Sequence, residues 1–337
     1  MMLDLILKAS RRDKFQAVHD AADKMRPKLR KAFLLAIGLL KDQINMSDLE
    51  TALAEGRIEA ALRIVNVDAL GDILIGKGID PDIKSFREEL RTAFGAGATV
   101  GISQLPKKAA VGISFDIFNP RAVAWAETRT ALLIRQVTKA TQDGVRVIIT
   151  NAVETGVAPR TAARSIRELV GLTNSQAKAV TNFKNQLDSQ QNLGFKAPWL
   201  RRLSAAEKAV VRRHMKKGGL SSTQINKLVN RYHQSLVNKR SLDIARTESI
   251  NAVQAGQLES WRQAQDQGLL PDTVKREWLV TPDDRLREDH AAIPGMNPDG
   301  VGLDEQFQTP FGPVIGPHDS HIDLINCRCV AILTNLG

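Results

Sequence analysis

The chain has 337 residues, 43% of them hydrophobic, 25% charged and only 4% aromatic, with two cysteines and a formal net charge of +10. That length can fill one large domain or two to three ordinary ones without disulfide staples, and the scarcity of aromatics beside recurrent Ala, Leu, Lys, Arg, Glu and Gln favours helix over sheet. No apolar run reaches the ~18 residues of a membrane span, the longest candidate being Ala32 to Leu40, and Asp4 interrupts what would be a signal h-region, so no membrane partner and no export signal are expected.

The first 118 residues read as short amphipathic helices of open role, one of them started by a capping box of Ser47 with Glu50. Gly95, Gly97, Gly101 and Gly112, with Pro106 and Lys107-Lys108 between them, predict a mobile connector ending near 118. From 119 to 268 the pattern is a helical scaffold. Asn119-Pro120 is an N-cap with proline at the first helical position, and Ala122, Ala126, Leu133, Val137, Ile148 and Ala152 follow at helical spacing up to Gly156. A second helix starts near Pro159 and stops at Gly171, and a third starts at the box of Thr173 with Gln176. Ser204 with Glu207 and Ser221 with Gln224 repeat the box, and from Ser222 to Gly268 nothing but Gly256 interrupts one long helix of roughly 70 Å. An elongated helical scaffold is the expectation.

Residues 201–250 carry twelve Lys/Arg against three Asp/Glu, whereas 283–337 carry three against nine. The basic stripe of Arg201, Arg202, Lys208, Arg212, Arg213, Lys216, Lys217, Lys227, Arg231, Lys239 and Arg240 is a candidate contact for double-stranded DNA or for an acidic protein surface, with a solvated helix face as the plain alternative. No aromatic stacking platform accompanies it, so nonspecific phosphate contact is the most it supports.

After Gly268 the texture changes to a small α+β domain, 269–337. Val274 to Val280 and Ile325 to Leu333 read as strands, and the many prolines and glycines of 294–319 predict a long extended interaction arm between them. Cys327 and Cys329, on one face of the second predicted strand, suit thiols or metal ligands better than a strained mutual disulfide. With His290, His318 or His321 they could complete a tetrahedral zinc site, although the usual zinc spacing leaves two residues between cysteines; otherwise the thiols pack as small hydrophobes and the histidines bond carboxylates. Asp283-Asp284-Arg285 also has two readings. Arg285 and Arg287 beside His290 could hold a phosphate for a nuclease with imidazole as base; or Thr281 caps a helix beginning at Pro282, whose positive end Asp283 and Asp284 offset, with Asp283 and Arg287 paired. The second explains more residues. Phosphate-loop, nucleophile-elbow and His-Glu-x-x-His signatures are missing, and His19, His214 and His233 read as surface or packing residues.

The order Ala245-Arg246-Thr247-Glu248, Gly256, Trp261, Trp278, Asp284-Arg285, Arg287, His290, Gly295, Pro317 and Asn326-Cys327-Arg328-Cys329 resembles the Mu-F-like phage head morphogenesis proteins. Asn119-Pro120-Arg121-Ala122, Pro159-Arg160 and Val170-Gly171-Leu172-Thr173 resemble the helical region that precedes this domain, so the resemblance spans about 119 to 337. It implies a minor structural protein of a tailed phage or prophage, assembled in the host cytoplasm and lodged in the virion head near the portal vertex. Its partners would be the portal protein, head shell or scaffold proteins and the genomic DNA. No enzymatic activity and no required cofactor follow from it. Some relatives continue into a toxin or enzyme domain, and the end of this chain eight residues beyond Cys329 argues against that role. On this reading Trp278, Asp284, Arg285, Arg287, Asn326 and Arg328 are structural, while a zinc-dependent nuclease on the His/Cys residues is the alternative.

Overall fold

The computed structural model describes residues 10–188, 205, 208–209, 221–281, 284–319 and 324–334. Among the described residues are eleven helices and a two-stranded sheet: α1 (Arg11–Asp42), α2 (Met46–Ala54), α3 (Ile58–Val65), α4 (Ala69–Leu74), α5 (Phe86–Ser103), α6 (Lys107–Gly112), α7 (Pro120–Glu154), α8 (Pro159–Leu169), α9 (Asn174–Asp188) and α10 (Ser222–Asp266) precede β1 (Lys275–Leu279), and a short α11 (Glu288–Met296) separates it from β2 (Val330–Thr334). The protein is therefore mainly helical with a small C-terminal α+β region, as its composition predicts.

The chain folds into two compact units, each assembled from separated segments: one from Met1–Phe33, Ile79–Leu132 and Leu242–Gly337, the other from Leu34–Gly78 and Leu133–Ser241. The first unit thus takes residues from all three predicted stretches.

Local chemistry sets most helix ends. Asn119 Oδ1 accepts the Arg121 amide at the start of α7, Thr173 and Gln176 exchange bonds at α9, and Ser221 and Gln224 do the same at α10. The Ser204 box lies outside the described residues. At α2 the cap is Asn45 in place of Ser47: its Oδ1 accepts from the amides of Ser47 and Asp48, so the helix starts one residue before the predicted box.

In the second unit Phe183 meets Tyr232 edge to face at 5.1 Å within a core that includes Leu49, Leu70, Ile149 and Ile166. Arg240, predicted to face DNA or an acidic surface, is buried here instead. Its guanidinium donates to the carbonyl oxygens of Gly171 (2.6 Å) and Val137 (3.2 Å) and to Thr141 Oγ1 (3.1 Å), and burial lowers its pKa to about 10. It ties the middle of α7 to the turn that follows α8.

The first unit corrects the predicted connector. Gly95, Gly97 and Gly101 lie inside α5, where Ser85 and Glu88 form a capping box. Gly97 and Gly101 are there because α10 crosses at close range: a Cβ on Gly97 would fall 1.9 Å from Val253 O, one on Gly101 2.1 Å from Ser260 Oγ, and, from the other side, one on Gly256 1.9 Å from Phe94 O. Trp261 Nε1 donates to Gly101 O at 3.0 Å and closes the crossing. Small residues at 97 and 101 facing 253, 256, 257 and 260 let two backbones touch.

Candidate functional site

β1 and β2 pair antiparallel with Trp278 opposite Ala331 and Leu279 opposite Val330. Arg276 and Trp278 share the buried face of β1, and Trp278 stands edge-on to Phe307 at 5.3 Å. Arg276 is fully buried without a bonded carboxylate, so burial depresses its pKa to about 9. Its guanidinium donates to three backbone carbonyls, those of Gly302 (3.1 Å), Glu305 and Ile315, and lies 5.1 Å from the centre of the Phe307 ring. The stretch 294–319, predicted to be an extended arm, is folded around this side chain. Leu303, Phe307 and Val314 are buried, and Phe307 and Val314 bond each other's backbone in an isolated bridge. Arg276 was not predicted as a key residue; its place on the apolar alternation Val274, Arg276, Trp278 is the sequence signal for it.

The cysteines precede β2 and do not lie on a strand. Leu324 O accepts the Cys327 amide, Asn326 takes a left-handed conformation (φ 57°), and pairing begins only at Val330. This turn is fastened at nearly every residue. Arg287 Nη2 donates to Ile325 O (2.7 Å), the Asn326 amide to Thr247 Oγ1 (3.2 Å), and Gln254 bonds both Cys329 O and the Ala331 amide. Thr281 Oγ1 donates to Arg328 O (3.1 Å), and His19 Nε2 on α1 lies 3.1 Å from the same oxygen. Thr281 therefore caps no helix: α11 begins at Glu288 with Arg287 at its N-cap, while Asp284 and Arg285 form an exposed turn. Pro282 and Asp283, with the predicted Asp283–Arg287 pair, lie outside the described residues.

The turn brings both sulfurs to His290. Nδ1 lies 3.4 Å from Cys327 Sγ and 3.5 Å from Cys329 Sγ, and the Cys329 amide points at Cys327 Sγ from 3.3 Å. All three donor atoms fall within 4.8 Å of one another, and all three residues are buried. The set is geometrically compatible with metal coordination. Cys327 is held below the usual thiol range because its sulfur accepts from Cys329 and His290, and the same contact together with burial pushes Cys329 up. A cleft of about 260 Å³ reaches these atoms between Asp243, Arg246, Arg285, Arg287 and Asn326. Desolvation, reinforced by Arg26, Arg328 and Arg285, lowers the Arg246 pKa, so the cleft wall is crowded with cations.

His318 does not join this set. It is buried beside Gly316 and Arg276, its Nδ1 has no hydrogen-bond partner, and desolvation with the nearby Arg276 lowers its pKa to about 3. His321 lies outside the described residues, as do Arg201, Arg202, Arg212, Arg213, Lys216 and Lys217. Lys208 is half-buried, whereas Lys227, Arg231 and Lys239 are exposed along α10.

The remaining signature residues serve the frame. Glu248 takes a two-pronged bond from Arg129 (2.8 and 2.7 Å) with both side chains nearly buried, and Arg121 bridges Glu259 and Asp266.

Residues 207–332 match the family model described as Phage Mu protein F like protein. The match bears out the resemblance over those residues; 119–206 lie outside it. The comparisons with curated proteins and with solved structures found no match. Among the described residues no helix is long and apolar enough to cross a membrane.

Proposed function

From the match over residues 207–332 we propose that this chain is a structural minor component of a tailed-phage or prophage head, seated near the portal vertex and needed for head morphogenesis or for packaging or delivering DNA. One observation supports it above the rest: many of the residues that carry the resemblance are engaged in holding the chain's own fold. Thr247 takes the Asn326 amide, Glu248 binds Arg129, Gly256 admits Phe94, Trp261 reaches Gly101 and Arg287 holds Ile325. Such side chains build a rigid surface for neighbours and turn over no substrate. The neighbours are the portal protein and shell or scaffold proteins, met in the host cytoplasm during assembly. Exposed Lys227, Arg231 and Lys239 would face an acidic protein surface or the genomic DNA.

The test is deletion of the coding sequence in its phage or prophage, with complementation and mass spectrometry of purified heads. The chain should be found in heads at low copy, and its loss should give aberrant or DNA-free heads. Normal, full, infectious heads lacking the chain would refute the proposal.

A second reading is a metal-dependent nuclease, motivated by an imidazole and two sulfurs at the floor of a cleft lined by arginines. Zinc would there activate water, with Arg285 and Arg287 on the phosphate. Plasmid nicking by zinc-loaded protein, lost in His290→Ala, is its expected result; inactive zinc-loaded protein ends it.

A further inference from the structure

We infer that His290, Cys327 and Cys329 bind one thiophilic divalent ion of the Zn2+ class, which fastens the turn before β2 to α11. This goes beyond the head-protein reading and does not depend on it.

The distances carry the inference. In a tetrahedral site with metal–sulfur bonds of about 2.3 Å and metal–nitrogen bonds of about 2.0 Å, each sulfur–nitrogen edge measures about 3.5 Å. Here the two edges from Nδ1 are 3.4 and 3.5 Å. One ring nitrogen facing two sulfurs at once is poor geometry for hydrogen bonding alone, because a neutral Nδ1 either donates one proton or accepts one. It is the expected geometry for three ligands of a single ion.

Charge and surroundings agree. The cysteines sit in an apolar cluster with Trp278, Ile293, Val301, Phe307, Val314 and Leu324. A divalent ion on two thiolates and a neutral imidazole leaves no net charge there, so the centre can stay buried. Each thiol gives its proton to solvent as its sulfur binds, and with Nδ1 on the ion the ring proton resides on Nε2. Sulfur donors select Zn2+ over Mg2+ or Ca2+. The cleft between Arg246 and Arg287 supplies the entry path.

Sequence position adds a reason for the one-residue spacing. Left-handed Asn326 reverses the chain just before Cys327, so two sulfurs two residues apart converge without belonging to the longer loop of the usual zinc knuckle.

The experiment uses the full chain, purified with a non-thiol reductant and titrated with Co2+ and Zn2+ alone. About one Zn2+ per chain should survive dialysis, and Co2+ should give sulfur-to-cobalt charge-transfer bands with tetrahedral visible bands. Those bands should vanish in Cys327→Ser/Cys329→Ser and weaken in His290→Ala, and chelation should lower the wild-type Tm while leaving that of the double variant unchanged. Reduced, folded wild-type protein that gives no thiolate–cobalt bands overturns the inference, whether or not the variants fold. Bands that persist in the double variant overturn it as well. Neither result touches the head-protein reading, which the deletion experiment decides.

Discussion

Gly97→Ala and Gly95→Ala place the same methyl group two residues apart on α5 and should move stability in opposite directions. At 97 the new Cβ meets Val253 O at 1.9 Å and Val253 Cα and C at 2.6 Å, all backbone of α10, so no side chain can swing aside. Ordinary contact begins near 3.4 Å. The two helices must part, loosening the crossing that Trp261 closes. Overpacking of this kind costs about 1–3 kcal/mol, occasionally more, against a gain of only about 0.5–1 kcal/mol from replacing a helical glycine. At 95 the nearest atom is Ile117 Cδ1 at 3.5 Å, so only the gain should remain. Urea denaturation of the two variants against wild type, with m-values checked for constancy, reads the difference as about 1–3 kcal/mol, the propensity gain being common to both. Gly38→Ala in α1, with nothing within 4 Å, is the control for the propensity gain. If Gly97→Ala is as stable as Gly95→Ala, the helices do not cross in contact and the explanation given for these glycines is wrong.

Arg276→Ala should cost about 3–5 kcal/mol, because the carbonyls of Gly302, Glu305 and Ile315 lose their donor inside the fold; hydrogen exchange should quicken first across 300–316. Arg276→Lys should recover little of it, since an ammonium cannot fork to three oxygens. Acid should weaken both units. His233, with neither ring nitrogen bonded and Lys41 nearby, and His318 both have folded pKa values near 3 against an ordinary value of 6.5. The unfolded chain therefore takes up protons first: the stability they contribute is full above pH 6.5 and is lost as pH falls toward 3, at about 1.4 kcal/mol per unit for each histidine. His233→Leu should flatten the His233 share of that slope in denaturation curves taken between pH 7 and 5, and an unchanged slope would refute it. Reversal of Lys227, Arg231 and Lys239 to Glu should reduce DNA retention by the purified protein and shallow its salt dependence if they touch phosphate; identical salt slopes would remove DNA as their partner.

Helix boundaries from α7 to α10 were legible because capping is local: Asn119-Pro120, Thr173 with Gln176 and Ser221 with Gln224 each carry their partner within three residues. The glycines of α5 were misread because their meaning lies in Val253 and Gln257, about 155 positions away, and glycine alone signals a bend as readily as a close approach. The same holds for 294–319, where proline and glycine suggested an arm while the organising residue, Arg276, sits on β1. Residues 327–329 were assigned to a strand because apolar alternation runs through them; left-handed Asn326 and the bonds from Thr247 and Gln254 hold them in a turn instead. At the candidate centre the two residue types, His and Cys, were visible in sequence, but the choice of His290 over His318 required the fold.

The bonds from α1 to the last strand reach far along the chain: Lys14 Nζ donates to Leu333 O across 319 positions, and His19 lies against Arg328 O across 309. During synthesis these early side chains must wait for residues 328–333 to leave the ribosome before this lobe can close. The segments 34–78 and 133–241, by contrast, can gather sooner. Translation products that stop before Leu333 would thus lack the finished lobe, with the side chains of Lys14 and His19 left without these partners.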